Sequence, residues 1–113
     1  MAQTKIEIFT AMLADQPDNA MIWYGLASEQ FKLENWSEAA KSLRQVVSLN
    51  ADYTAAYQML GTVLANAGDL AGAQQAWREG IEAADRTGAW KAGQHMRSLL
   101  TGVAGSNETL CTD

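Results

Sequence analysis

The chain has 113 residues, of which 48% are hydrophobic and 19% charged, with a formal net charge of −5. That composition fits one globular domain, and its eight singly scattered Lys and Arg residues argue against a nucleic-acid face, which needs clustered cations. Cys111, the only cysteine, excludes an intrachain disulfide and a cysteine-based metal site and fits a reducing, cytoplasmic compartment, while no membrane-length apolar run and no signal-peptide pattern occurs.

The apolar spacing predicts six helices. Residues 4–14 place Ile6, Phe9, Met12 and Leu13 at helical intervals, and Pro17 ends that run by disfavouring helix at Gln16. Asp18 or Asn19 caps a second helix over 20–33, which carries Trp23, Leu26, Ala27 and Phe31. A turn at Glu34-Asn35 follows. Asn35 with Glu38 reads as a capping box for a third helix over 36–49, with Trp36, Ala39, Ala40, Leu43, Val46 and Val47. Asp52 is the expected cap of a fourth helix over 53–66, bearing Tyr57, Leu60, Gly61, Val63 and Leu64. Gly68-Asp69 stops that helix and starts a fifth over 70–84, with Leu70, Ala73, Trp77 and Ile81. A sixth helix over 87–102 turns Ala92, Met96, Leu99 and Leu100 to one side, and the polar residues 104–113 read as a disordered tail.

These helices repeat with a period of 34 residues. Trp23 aligns with Tyr57, Leu26 with Leu60, Ala27 with Gly61, Ala39 with Ala73, Leu43 with Trp77 and Val47 with Ile81. Small residues at Ala27, Ala39, Gly61 and Ala73 let paired helices approach, while Trp23, Leu43, Tyr57 and Trp77 fill the space around them. The runs W23-x2-L26-A27…A39-x3-L43 and Y57-x2-L60-G61…A73-x3-W77 resemble the tetratricopeptide-repeat (TPR) family, and Pro17 falls where that family favours proline. The resemblance implies an all-α fold of antiparallel helix hairpins stacked into a superhelix. It divides residues 1–103 into a half repeat (4–19), two repeats (20–53 and 54–86) and a capping helix (87–103). The last helix falls out of register, because its repeat-core positions hold Lys91, Gln94, His95 and Ser98; it reads as a solvating cap.

Candidate chemistry is sparse. His95, the only histidine, stands between Gln94 and Met96 without partners for a metal site or a triad. Cys111 neighbours Glu108 and Asp113, which disfavour a thiolate. The glycines form no phosphate-binding motif. Glu79 and Glu82 read as a solvated helix face, and Trp23, Trp36 and Trp77 occupy repeat-packing positions. The chain is therefore expected to be a binding scaffold and not an enzyme, with no cofactor and no metal.

Within the resemblance, the first helix of each repeat lines a concave groove that holds a peptide or helix of another protein. Carried over residue by residue, the groove consists of Met21, Tyr24, Ser28, Phe31 and Lys32 in the first repeat and Gln58, Thr62 and Asn66, with Ala55 and Ala65, in the second. Aromatic anchors beside amides and hydroxyls suit peptide recognition. The family's clamp for acidic tails needs Lys and Asn where this chain has Tyr24, Ser28 and Met59, so an acidic tail is not the expected partner. The alternative is self-association into a homodimer through helix 4–14, which has no first-helix partner in its own half repeat. Neither nucleic acid nor a membrane is an expected partner.

Overall fold

A computed structural model of the protein describes the backbone of residues 2–112 and the side chains of residues 4–102. The elements are α1 (Ala2–Asp15), α2 (Ala20–Lys32), α3 (Trp36–Leu49), α4 (Thr54–Asn66), α5 (Leu70–Thr87) and α6 (Trp90–Thr112), and no strand occurs among the described residues. The side chains of the expected tail over 104–113 lie outside those described. Each helix packs on the next in sequence, and α6 also reaches back to α4. The result is an elongated stack of helix hairpins measuring 51 × 30 × 19 Å.

The turns show the period as backbone geometry. Glu34 and Gly68, 34 positions apart, both take positive φ, at 59° and 90°. In each turn the next residue closes a six-residue loop: the Asn35 amide donates to the Gln30 carbonyl at 3.0 Å, and the Asp69 amide to the Leu64 carbonyl at 2.8 Å. A third turn of this kind ends α5 at Gly88 (φ 77°), where the Ala89 amide donates to the Ala84 carbonyl at 3.0 Å. Helix α5 therefore runs one turn beyond the expected 70–84, because the chain reverses at Gly88, which takes the left-handed conformation without a Cβ penalty. Helix α6 accordingly begins at Trp90 and not at residue 87.

The caps divide. The Asn19 carboxamide accepts from the Met21 and Ile22 amides, and the Asp69 carboxylate accepts from the Gly72 amide. The Asn35 capping box does not form: Asn35 makes no side-chain cap bond, and its backbone is committed to the turn closure. Nor does Asp52 cap α4. Tyr53 holds the cap position, while the Asp52 carboxylate is engaged by the Arg86 guanidinium at 2.8 Å.

A further pair of bonds repeats across the two hairpins. The Trp23 indole donates to the Pro17 carbonyl at 2.8 Å, and the Tyr57 hydroxyl to the Ala51 carbonyl at 2.9 Å. Both aromatic residues thus tie the start of their helix to the incoming turn.

The core runs through α2–α6 around Ala27, Ala39, Leu43, Val46, Leu60, Val63, Ala73, Trp77 and Met96. A smaller cluster of Leu13, Ile22 and Leu26 joins α1 to α2. At the close contact of the second hairpin a Cβ on Gly61 would collide with the Trp77 indole. The first hairpin places Ala27 and Leu43 at the equivalent positions, so a smaller partner there leaves room for one methyl. At the C-terminal end Met96 is fully buried and lies against Gly80, where an added Cβ would meet its sulfur. Lys91, Gln94, His95 and Ser98 of α6 are exposed.

Two outcomes follow from this packing. Gly61→Ala should lower stability in urea denaturation by ~1–3 kcal/mol through overpacking. Trp77→Leu in that background should restore part of the loss, since the pair then matches Ala27 and Leu43; strictly additive losses would show the two sites to be uncoupled. Glu34→Gly should raise stability by about 0.5 kcal/mol, because a left-handed conformation costs a residue with a Cβ more than glycine's extra entropy does. An unchanged or lower midpoint would refute that account of the turn.

Candidate partner-binding cleft

Side chains three, four and seven positions apart share a helix face. On α2 that relation joins Tyr24 to Phe31, and on α4 it joins Ala55, Gln58, Met59 and Thr62. The two faces meet as the walls of a cleft of about 220 Å³ lined by these six residues. No charged side chain lines it.

Its aromatic wall is anchored from behind. The Tyr24 ring stacks on Tyr53 with centroids 5.2 Å apart and planes at 29°, and Phe31 meets Trp36 edge-on at 5.4 Å and 74°. Both cleft aromatics are partly buried against the core. The two rings thus serve the packing and the cleft together. Tyr53 was not among the expected residues, because its stacking is a contact between α2 and the cap of α4 that single-helix periodicity does not reveal.

The hydroxyls are partly committed to their own helices. Ser28 donates to the Tyr24 carbonyl and Thr62 to the Gln58 carbonyl, each at 3.1 Å, at equivalent positions of the two repeats. Their oxygens remain acceptors. The Gln58 carbonyl also receives the Trp77 indole N–H at 3.3 Å, which fixes the backbone under the cleft floor.

The expected groove residues do not all converge. Tyr24, Phe31, Gln58 and Thr62 share the cleft, with Ala55. Ser28 is half-buried beside Tyr24. Met21 is exposed at the start of α2, on a separate hollow formed with Pro17, Asn19, Asn50 and Tyr53. Lys32 bends back to Glu29 at 2.9 Å. Asn66 is exposed at the last turn of α4. Met59 belongs to the cleft but was not among the expected residues. Its spacing from Ala55 and Thr62 places it on the same helix face, which the sequence already implies.

Burial holds the Tyr24 phenol above the ordinary tyrosine range, with the neighbouring Tyr53 acting in the same direction. Burial also raises Tyr57, aided by Glu79 and opposed by Arg86. The carboxyl of Glu29 is held low, first by its hydrogen bond from Lys32, against the opposing effect of burial. Among the described residues no group of three His, Cys, Asp or Glu side chains could hold a metal ion, and no helix is long and apolar enough to cross a membrane.

A raised phenol stabilises the fold below the unfolded tyrosine pKa of about 10, and that contribution is lost as pH rises through the folded value. Ultraviolet titration should therefore show Tyr24 ionising above free tyrosine. Tyr24→Phe should flatten the fall in stability on the alkaline side, and a variant that loses stability above pH ~10 as steeply as the parent would contradict a buried Tyr24 phenol.

No family model matches the chain. A TPR repeat-containing protein of Pseudomonas aeruginosa is 36% identical over 95 residues, covering 84% of this chain and 90% of that protein. A Bordetella parapertussis protein with a solution structure superimposes with a TM-score of 0.78 at 30% identity, covering 90% of this chain and 89% of the other. PcrH, solved in complex with the chaperone-binding region of PopD, superimposes with a TM-score of 0.86 at 17% identity, covering 90% of this chain and 77% of that one.

Proposed function

The chain belongs to the tetratricopeptide-repeat family, and from that premise we propose that it is a protein-interaction adaptor, with no catalytic role, that holds a partner segment in the α2–α4 cleft. The observation that carries this reading is the convergence of Tyr24 and Phe31 with Gln58, Met59 and Thr62 on one uncharged cleft. Tyr24, Phe31 and Met59 bury apolar side chains of the partner, while the Gln58 carboxamide and the Thr62 oxygen pair with its backbone. The preferred segment is apolar and uncharged, because no cation lines the cleft to compensate an acidic tail. PcrH, which shares the fold, is bound to a protein segment in its solved complex, and this supports the same use of the fold here. Met21, Ser28, Lys32 and Asn66 extend the contact beyond the cleft itself.

A second reading is self-association through α1, favoured by the exposure of Ile8 (54%) and Met12 (39%) on that helix.

The cleft can be tested without disturbing the core, because Ala55 is exposed. Peptides selected from a random library on the wild-type protein should bind Ala55→Arg at least about tenfold more weakly by fluorescence anisotropy, with the melting temperature kept within a few degrees. Gln45→Arg, at an exposed position on α3, should bind as the parent does. Equal binding by all three proteins would remove the cleft as the partner site.

A further inference from the structure

We propose that α1 docks antiparallel against α1 of a second copy, through a stripe formed by Lys5, Ile8, Met12 and Asp15. The proposal rests on the self-association reading and specifies its surface and register.

The stripe departs from its equivalents in the two complete repeats. The 34-residue period maps it onto Ala39, Ser42, Val46 and Leu49 of α3 and onto Ala73, Ala76, Gly80 and Ala83 of α5. All of those but Leu49 are buried. They form the face on which each repeat's own first helix rests: the Ser42 hydroxyl donates to Gln30 of α2 at 2.7 Å, and a Cβ on Gly80 would come within 2.7 Å of Tyr57 of α4. In α1 the same face is exposed at Lys5, Ile8, Met12 and Asp15.

Its composition selects the occupant. Lys5 stands where α3 and α5 carry fully buried alanines, so no helix can approach there as closely as α2 and α4 approach Ala39 and Ala73. The face is therefore not built for an ordinary first helix of a repeat. It is self-complementary instead. Ile8 and Met12 lie two positions either side of Thr10, and Lys5 and Asp15 lie five positions either side. A twofold axis between the two stripes, at the level of Thr10, sets Ile8 of one copy against Met12 of the other and Lys5 against Asp15, at both ends at once. The helix itself does not favour these charges, since a cation near the N-terminus and an anion at the C-terminus oppose its dipole. Neither residue forms an ion pair among the described residues; Glu29, the carboxylate on which Lys5 acts, is held by Lys32. Among the described residues the outer face of α6 exposes Lys91, Gln94, His95 and Ser98 and a single large apolar side chain, Trp90, which is a poor counterpart to the Ile8–Met12 pair for a head-to-tail stack.

One helix pair buries less than a standard interface, so the dimer forms in the micromolar-to-millimolar range. Sedimentation velocity of the full chain should show the mass rising from monomer to dimer with concentration. Lys5→Glu and Asp15→Lys should each shift that rise to at least about tenfold higher concentration, because each places like charges at both ends. An equimolar mixture of the two variants should associate at the parent's concentration, because the altered ends then meet opposite charges. Circular dichroism checks that each variant folds, and Asp15→Lys carries the test alone if Lys5→Glu is destabilised beside Glu29. A dimer indifferent to both swaps would overturn this surface while leaving self-association standing. A monomer at every concentration would overturn both.

Discussion

The protein depends on how closely the two helices of a repeat can approach. At Ala27, Ala39, Gly61 and Ala73 the side chain is a methyl group or nothing, and these positions are buried. The two hairpins meet that constraint with different volumes: Ala27 with Leu43 in one, Gly61 with Trp77 in the other. A methyl lost on one helix makes room for an indole on its partner, as interiors packed to crystal-like density demand. The indole in turn donates to the Gln58 carbonyl, so the residue that fills the hairpin also steadies the helix that lines the cleft.

Packing alone would not phase the stack. The left-handed turns at Glu34 and Gly68 and the aromatic bonds to Pro17 and Ala51 recur at the same interval. Each repeat enters and leaves its first helix in the same way, and a cleft between α2 and α4 follows from placing two similar helices side by side. Its walls differ because the residues at matching positions differ: Tyr24 on α2 corresponds to Gln58 on α4, and Gly25, pressed by Phe9, corresponds to Met59. One repeat contributes rings and the other a thioether and an amide, which gives the cleft an apolar side and a hydrogen-bonding side.

The two ends of the stack are treated differently. At the C-terminal end α6 buries Met96 against α5 and turns Lys91, Gln94, His95 and Ser98 outward. At the other end α1 keeps Ile8 and Met12 in water between two opposite charges. In a quasi-one-dimensional fold a terminal face with no neighbour must be polar or covered. Among the described residues α6 follows mainly the first course, and the α1 pairing proposed above would supply the second.

Much of this was legible in the sequence. Helical periodicity located all six helices, and the 34-residue repeat identified which small and large residues meet, because those features depend on spacing within one helix or on one repeated hairpin. Asn19 and Asp69 were recognisable as caps, since a cap acts on amides two or three residues away. Tertiary structure decided the rest. Asp52 binds Arg86 and does not cap α4, and Asn35 closes a turn and does not form a capping box. Lys32 turns to Glu29, and Met59 enters the cleft. Tyr24 rests on Tyr53, the residue that caps α4. In each case a side chain with several attainable partners takes one that the sequence leaves distant or indistinguishable, and only the rotation of one helix against another makes the choice.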